Sequence, residues 1–296
     1  MNELVPTSVT PGVTIHFTHR THYTYTGPVS FGNHRLVMRP RESYHQRLQS
    51  LNVTTSPAAD IHWSEDIFGN MIATLIFKEQ ASELIITSEF SVWQSQPPEG
   101  IHGPEGILTG VPAYYAGIEQ VATYLYRNAV YPRQVELVRK WVMDQNIMGA
   151  FGEKVPLFDR MAAAIRKQIG YRRREIPGVQ SPKETLRLGT GSCRDTAVLM
   201  MEAARCIGYA ARFVSGYLES EVSRVGRGAT HAWTEIYLPD RGWTGFDPSI
   251  GGQIDIGHVA VGVSYHPRGV MPISGTFKGH GNQSLGMNVQ ITSRRD

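Results

Sequence analysis

The residue best suited to covalent chemistry is the cysteine in residues 189–195 (GTGSCRD). The apolar run at 194–207 that follows it predicts a buried helix, so Cys193 falls in the first turn. Unpaired backbone N–H groups and the helix dipole favour an anion there, and for cysteine that anion is the nucleophilic thiolate. The same N–H groups can hydrogen-bond an oxyanion, whereas Asp195 is expected to stabilise the helix start. The alternative is a small buried cysteine without chemistry.

A thiol nucleophile needs a base within hydrogen-bond reach, and the base needs a group that orients it. Residues 230–238 (THAWTEIYL) alternate as a strand does, which places His231 and Trp233 on one face. His231 is therefore the candidate base, and a partly buried strand histidine is the alternative. Trp233 is predicted either to wall a substrate cleft or to pack in the core.

The orienting group comes from the next strand, which ends in Asp247. A turn at 239–242 (PDRG) separates the two strands. If the hairpin pivots at Pro239, His231 and Asp247 lie directly opposite each other, and the carboxylate can meet the imidazole. The sequence therefore predicts a catalytic triad in which Asp247 orients His231 and His231 activates Cys193.

Other positions near these residues are candidates for substrate contact. Gly191 lets a substrate approach the sulfur closely because glycine has no Cβ atom, and Ser192 lies between it and the nucleophile. The loop 219–229 precedes the histidine strand and carries Arg227, so it is either a basic substrate-contacting loop or an ordinary solvated connection. The predicted substrate-binding residues are Trp233, Gly191, Ser192 and Arg227.

Neither the second cysteine nor the N-terminal histidines suggest a further site. Cys206 lies in an apolar stretch of the same helix and is interpreted as structural. His16, His19 and His22 recur every third residue, but on a strand this spacing turns His19 away from the other two, which argues against a metal site. No acidic loop suggests calcium binding, so we expect neither a metal nor an organic cofactor.

The composition limits the class of protein. The chain has 296 residues, 41% of them hydrophobic and 19% charged, which is typical of a globular protein. A net charge of +3 without a long basic run argues against a nucleic-acid partner, and no segment suggests a membrane span or an export signal. Two cysteines are too few for a disulfide framework. We therefore expect a cytoplasmic protein that acts on a peptide or protein substrate.

The order of predicted elements indicates an α+β protein. Alternating runs at 13–26, 36–39, 48–54, 71–77 and 84–93 predict a β-rich, sandwich-like N-terminal domain over residues 1–100. Residues 101–155 are interpreted as a linker, marked by the Gly/Pro-rich passage 99–112, and helices that pack on the core. The remainder, 156–296, is predicted to be the catalytic core with C-terminal strands.

The core prediction depends on a second set of patterns. Helical spacing is present at 134–145 and 158–169, and a further helix is expected to begin at Ser181 and Pro182. Predicted strands then cover residues 211–218, 231–238, 243–247, 259–263 and 287–291.

Several of these motifs together resemble the bacterial transglutaminase-like superfamily. In the core they are GSCRD at 191–195, RFVSGYL at 212–218, HAW at 231–233 and GWTGFDP at 242–248. In the β-rich start they are YTY at 23–25, RPR at 39–41 and DIFGN at 66–70, and in the tail HVAVG at 258–262 and PISG at 272–275. The tail departs from the family at 262–267, where GVSYHP stands in place of GRDYAD.

The resemblance implies a fold and a reaction class. The fold is a papain-like transglutaminase core, a helical part plus an antiparallel sheet, preceded by an all-β N-terminal domain. The family's Cys–His–Asp triad carries over onto Cys193, His231 and Asp247, and its members include transglutaminases, peptidases and amidases that pass through a thioester. We expect hydrolysis because water is always present as an acceptor. The alternatives are a protein-glutamine transglutaminase, a non-catalytic binding module that retains the fold, and a scaffold whose N-terminal domain recruits partners.

Overall fold

The computed structural model describes residues 11–96, 114–148, 156–174, 178–225, 228–239 and 241–296. The predicted boundary at 99–112 lies outside these ranges, and Arg227 lies outside them too. Within them, no helix is both long enough and apolar enough to cross a membrane.

The N-terminal part consists of six strands. They are β1 (Gly12–Phe31), β2 (His34–Leu36), β3 (Gln46–Ser56), β4 (Ala59–Glu65), β5 (Met71–Phe77) and β6 (Gln80–Ser95). Five of them overlap the predicted runs. The sequence did not predict β4, because this sheet-edge strand is largely exposed and carries the polar sequence ADIHWSE.

The rest of the chain alternates helices and strands. The helices are α1 (Ile118–Ala122), α2 (Tyr124–Arg127), α3 (Val135–Asp144), α4 (Leu157–Gln168), α5 (Pro182–Leu188), α6 (Cys193–Cys206) and α7 (Glu221–Arg224), with 3-10 turns at Pro132–Gln134 and Pro267–Val270. The strands are β7 (Gly170–Tyr171), β8 (Thr190–Gly191), β9 (Ala211–Leu218), β10 (Thr230–Leu238), β11 (Gly242–Asp247), β12 (Gly252–Gln253), β13 (His258–Ser264), β14 (Ile273–Ser274), β15 (Phe277–Lys278) and β16 (Ser284–Arg295).

Two sheets form the N-terminal domain. One has the order β15-β1-β6-β3, with β16 also paired to β1, and the other has the order β14-β2-β5-β4. Alternate apolar side chains of both sheets meet in one cluster, which includes Val29, Leu36, Leu75, Leu84 and Ile86. The predicted sandwich-like β domain is therefore confirmed.

The C-terminal strands differ from the prediction that assigned them to the catalytic core. Strand β16 runs antiparallel to β1 from Ile15↔Arg295 to Tyr25↔Ser284, and β14 pairs with β2. The chain thus returns to complete both N-terminal sheets. The physical reason is that β1 is a 20-residue strand with a free edge on the side away from β6, and a long open edge needs a partner.

The second half of the chain packs helix α6 against a five-stranded antiparallel sheet of order β12-β11-β10-β9-β13. The helix is buried at 12 of its 14 residues, as its apolar sequence predicts, and it begins one residue earlier than expected, at Cys193. The Thr234 hydroxyl on β10 donates to the Ala197 carbonyl of the helix at 2.8 Å. This contact fixes the histidine strand against the nucleophile helix.

The β10–β11 hairpin has a different register from the predicted one. Leu238 pairs with Gly242 and Thr234 with Phe246, so the hairpin pivots one position after Pro239. The cause is a three-residue connection closed by Gly242, whose φ of 74° favours glycine. His231 and Asp247 are therefore diagonal neighbours rather than a directly opposed pair.

The outer edge of β13 is covered by side-chain amides of the N-terminal domain, which we call the amide clamp (Gln46, Asn70 and Gln94). Gln46 bonds both the N–H and the C=O of Ala260 at 2.9 and 2.8 Å. Asn70 bonds both groups of Val263 at 2.8 Å each. Gln94 donates to the carbonyl of the first residue of β13 at 2.8 Å. The amides thus replace the missing neighbouring strand.

Candidate active site

Cys193 begins helix α6, and a buried carboxylate fixes the turn that presents it. Ser192 is the N-cap residue, and its N–H donates to Asp195 Oδ2 at 2.8 Å. Asp195 has no exposed surface and also accepts the Gln180 N–H at 2.7 Å and the Arg174 guanidinium at 2.8 and 3.0 Å. Because its oxygens are fully engaged in this way, Asp195 supports the helix start and is not free for chemistry.

The two positions before the nucleophile are part of the same support. The Ser192 side chain donates to Asp195 at 2.8 Å and is buried, so Ser192 acts as the helix cap, and its contact with a substrate stays a prediction. A Cβ atom at Gly191 would lie 2.9 Å from the Asp195 Cβ atom. Gly191 is therefore required for close packing of this turn, and its carbonyl accepts the Arg172 N–H at 2.8 Å.

His231, near the start of β10, connects the cysteine to the aspartate. Its Nε2 atom lies 2.6 Å from Asp247 Oδ2. The Cys193 thiol interacts with the same ring and helps to raise its pKa, and because Nε2 is engaged by Asp247, Nδ1 is the nitrogen available to the sulfur. Burial by itself lowers the pKa of His231, but the hydrogen bonds with Asp247 and Cys193 outweigh it and raise the pKa to about 10. The imidazole is thus cationic at neutral pH.

Asp247 ends strand β11 and is completely buried. Its Oδ1 atom accepts the Ser249 N–H at 2.8 Å, and its Oδ2 atom accepts from His231 and, at 3.2 Å, from His258 Nε2. Burial alone raises the pKa of Asp247, but the two histidine donors lower it well below its usual range. The carboxylate is therefore ionised whenever its neighbours are in place.

His258 was not among the residues predicted for the site. It begins β13, its side chain has no exposed surface, and its Nδ1 atom lies 2.8 Å from Asp255 Oδ1. Burial lowers the pKa of His258, but its hydrogen bonds with Asp247 and Asp255 raise it overall. Its only signal in the sequence is the motif at 258–262. No spacing links it to Asp247, because β11 and β13 lie on opposite sides of β10 and β9 in the sheet.

Trp233 lies behind the site, so the prediction that it contacts substrate is wrong. It has no exposed surface and packs with Val214 and Val263. Its ring makes an edge contact with the His258 ring at 5.4 Å. The strand pattern gave Trp233 the same face as His231, but the N-terminal domain and β13 cover that face. The substrate-contact prediction for Arg227 lies outside the described residues.

The mouth of the site is narrow. Cys193 is 6% exposed and the His231 side chain 11%. Tyr171, on β7 beside the turn at β8, is 56% exposed. Burial and, after it, the charge of Cys193 raise the pKa of Tyr171, which pairs with Gly191, two residues before the cysteine. Sequence reasoning did not identify Tyr171, because its position depends on a two-residue parallel pairing.

His231, Asp247 and His258 also have donor atoms within 4.8 Å of one another, the composition of a possible metal site. The geometry favours hydrogen bonds instead, because both histidines direct Nε2 at the same carboxylate oxygen, at 2.6 and 3.2 Å. A nitrogen that donates its proton to a carboxylate has no lone pair for a metal. The three residues therefore satisfy one another.

The remaining candidates of the sequence lie elsewhere. Cys206 donates to a backbone carbonyl of its own helix at 3.1 Å, and burial raises its pKa to about 12, so it is a poor nucleophile. His16 and His22 each pair with a carboxylate, at 2.8 and 2.9 Å, whereas His19 is buried against the Tyr217 hydroxyl. As the strand spacing predicts, the three histidines do not converge.

Comparisons with known proteins agree with this architecture. Residues 15–93 match the bacterial transglutaminase-like N-terminal region, and residues 144–248 match the transglutaminase-like superfamily. An uncharacterized protein of Mycobacterium tuberculosis is 30% identical over 284 residues, covering 90% of this chain and 88% of its own. An uncharacterized protein of Mycobacterium leprae is 26% identical over 292 residues, covering 93% and 96%.

A solved structure shares the fold at low sequence identity. It is described as "a Putative Cysteine Protease from Cytophaga hutchinsonii", is 16% identical, and covers 96% of this chain and 91% of its own with a TM-score of 0.73. The two family matches, the long relatives and this shared fold lead to one assignment. The chain belongs to the bacterial transglutaminase-like superfamily.

Proposed function

We propose that the protein is a cysteine-nucleophile acyl-transfer enzyme that hydrolyses peptide or glutamine-type amide bonds through a thioester. The observation that carries the proposal is that Cys193 begins helix α6 and His231, with which its thiol interacts, lies 2.6 Å from the buried Asp247 carboxylate. Three residues from separate elements converge here, on a ring that is cationic at neutral pH. This is the arrangement that keeps a thiol ionised and ready to attack.

In the first half of the reaction, the Cys193 thiolate adds to the carbonyl carbon of the amide. The C=O electron pair moves onto the oxygen, and the resulting oxyanion lies at the start of α6, where the first backbone N–H groups have no partner within the helix. The C–N bond then breaks as the His231 imidazolium gives its proton to the leaving amine. The products of this half are a thioester on Cys193 and a neutral imidazole.

In the second half, His231 acts as the general base. It takes a proton from water, the hydroxide oxygen adds to the thioester carbonyl, and the C–S bond breaks to release a carboxylic acid. The thiolate and the imidazolium are thereby restored. Asp247 stays ionised throughout and keeps the His231 Nε2–H directed at itself, which leaves Nδ1 for proton transfer.

Transglutamination uses the same residues with an amine in place of water, so the choice of acceptor is a matter for experiment. Peptide and amine mixtures are incubated with the protein, and mass spectrometry scores cleaved, deamidated and cross-linked products. We expect cleavage or deamidation to be the major outcome with the wild-type protein. Cross-linked products in excess would replace hydrolysis by transglutamination as the function.

Two cysteine variants serve as controls. Cys193→Ala is expected to give none of the three products, whereas Cys206→Ala is expected to match the wild type. Products formed equally well by Cys193→Ala would mean that the activity is not that of this thiol. If Cys193 also proves no more reactive than Cys206 toward iodoacetamide, the protein is a non-catalytic binding module that retains the fold.

A further inference from the structure

Asp247 is held by more than the base it is expected to orient. Its Oδ2 atom accepts from His231 at 2.6 Å and from His258 at 3.2 Å. The carboxylate has no exposed surface, so these donors and the Ser249 N–H stand in for the hydration it would have in water. A buried carboxylate that loses one of three donors is free to rotate toward the donors that remain. The hydrogen bond from His258 therefore helps to set the orientation of the Asp247 carboxylate relative to His231.

The His258 ring is itself fixed on every side. The Asp255 N–H donates to its Nδ1 atom at 3.1 Å, which places the proton of a neutral ring on Nε2, toward Asp247. Asp255 Oδ1, 2.8 Å from Nδ1, and the Asp247 carboxylate each accept one proton of the imidazolium, the form that both hydrogen bonds favour. Trp233 makes an edge contact with the ring at 5.4 Å and 85°, and the His231 ring is 5.8 Å away. The ring therefore has one orientation, with Nε2 directed at the carboxylate.

The backbone of His258 is held by the N-terminal domain. Gln94 of the amide clamp donates to the His258 carbonyl at 2.8 Å. Gln94 also donates to the Gln46 side chain at 3.1 Å, and Gln46 bonds both backbone groups of Ala260, two residues further along β13. A continuous set of hydrogen bonds therefore runs from the N-terminal sheet through His258 to the carboxylate that orients His231.

We propose that His258 is a positioning residue of the active site, which fixes the Asp247 carboxylate through its Nε2–H, and that the N-terminal domain acts on catalysis by holding His258 in place. This inference rests on the proposed function, because it assumes that Asp247 orients a catalytic base. It assigns His258 a role in orienting Asp247 for the reaction, and it gives the N-terminal domain a role in catalysis in addition to its role in the fold.

The test measures the reactivity of Cys193, which requires no knowledge of the substrate. Limiting iodoacetamide is added to the full chain at pH 7, and mass spectrometry follows alkylation of the Cys193 peptide. His258→Leu removes the N–H donor, and we expect alkylation to slow by about 10-fold, the equivalent of one hydrogen bond to a charged group. His258→Gln places an amide N–H near the position of Nε2, and we expect it to restore the rate to within about 3-fold of wild type.

If His258 only filled space, glutamine would not restore the alkylation rate, because leucine fills the space as well as glutamine does. If His258→Leu does not fold, as judged by circular dichroism, Asp255→Ala decides the question, since the Asp255 side chain is 62% exposed and contacts His258 Nδ1 directly, although its loss also removes the acceptor of the Gly257 N–H. We expect about a 3-fold slower rate for Asp255→Ala. Asp144→Ala, the matched control at another exposed ion-paired carboxylate, should leave the rate unchanged.

Three results would overturn the proposal. The first is an unchanged or faster rate in His258→Leu, or in Asp255→Ala where the leucine variant is unfolded, since histidine would then only compete with His231 for the carboxylate. The second is a glutamine variant as slow as the leucine variant. The third is a fall in wild-type reactivity on adding EDTA, which would make the three residues a metal site.

His231→Ala separates this proposal from the proposed function. If His231→Ala slows alkylation of Cys193 but His258→Leu does not, the positioning role fails and the catalytic triad stands. If His231→Ala has no effect either, Cys193 is not activated by the histidine, and the proposed function fails together with the inference that rests on it.

Discussion

Cys193, the proposed nucleophile, and His231, the proposed base, belong to one site, but the two sides of that site are positioned by different means. On the nucleophile side, Asp195 bonds Arg174, 21 residues earlier, and Gln180, 15 residues earlier. On the base side, His258, Ala260 and Val263 of β13 are held by amides that lie 164, 214 and 193 residues away in sequence. One side is thus built by a short stretch of chain, and the other is built across two domains.

The nucleophile side and the base side therefore depend on different parts of the chain. The cysteine turn has its cap, its counterion and its glycine packing within residues 174–195, so its geometry follows from local folding of the α5–α6 region. The base side depends on β13, whose outer edge is hydrogen-bonded by the amide clamp of the N-terminal domain. A substitution in the N-terminal domain is therefore expected to change the geometry of Asp247 and His231 more than that of Cys193. The following predictions test this distinction in order of decreasing effect.

The largest effect is expected at the nucleophile itself. Cys193→Ala should lower turnover by at least about 10³-fold, because no other group can form the thioester. Cys206→Ala, in the same helix, should retain activity, because its sulfur is bonded to the helix backbone. Turnover of both variants on a verified peptide substrate is the measurement. Appreciable residual activity in Cys193→Ala would remove the nucleophile side from the mechanism.

Asp247→Asn should lower turnover by about 10- to 10³-fold while the protein still folds. Asparagine has nearly the same shape, but it can donate where the carboxylate accepts and can hold the imidazole the wrong way round. The same change in a serine triad costs about 10⁴-fold, and a thiol needs less help because it ionises more readily. Full activity of the folded variant on a verified substrate would make Asp247 structural and leave a Cys193–His231 dyad.

Arg174→Ala tests the support of the nucleophile side. It leaves the buried Asp195 carboxylate without its cation, and we expect the free energy of unfolding to fall by about 3 kcal/mol. Urea unfolding followed by circular dichroism measures the change. Arg187→Ala, at an exposed position of helix α5, is the control and should change stability by less than about 0.5 kcal/mol. Equal stability of the two variants would mean that Asp195 does not depend on the ion pair.

The pH profile tests the base side. Burial opposes the charge on His231, but its hydrogen bonds with Asp247 and Cys193 raise its pKa to about 10. Because the imidazolium must protonate the leaving amine, turnover should hold through neutral pH and fall as the pH rises through about 10. In Asp247→Asn this basic limb should move to lower pH by at least about one unit, because the anion that stabilises the cation is lost. A limb at the same pH in both proteins would show that Asp247 does not stabilise the charged ring.

The smallest effect is expected from the amide clamp. Gln94→Leu leaves the His258 carbonyl without its donor, and we expect turnover to fall by about 3-fold with a modest loss of stability. Gln80→Leu, at an exposed position on the same strand β6, is the matched control and should behave as the wild type. If Gln94→Leu lowers the melting temperature but leaves turnover unchanged, the clamp only stabilises the fold and the two sides of the site are not supported differently.

Much of the fold could be predicted because its signals are local. Strand β5 matches its predicted run at 71–77, and β9 matches the run at 211–218. Helix α6 carries apolar residues on nearly every face, which specifies a buried helix without knowledge of its neighbours. The predicted pivot of the β10–β11 hairpin was wrong by one position, which shifts the pairing by two residues, because register depends on the loop backbone at Gly242 as well as on strand alternation.

The sequence by itself identified the family and the candidate residues Cys193, His231 and Asp247, because each lies in a motif of a few consecutive residues. Only the tertiary structure decided that His258 shares the Asp247 carboxylate, that Trp233 is buried behind the site, and that β16 completes the N-terminal sheet. The physical reason is that an alternating pattern tells which side chains share a face of a strand. What covers that face is set by packing between segments that lie far apart in the chain.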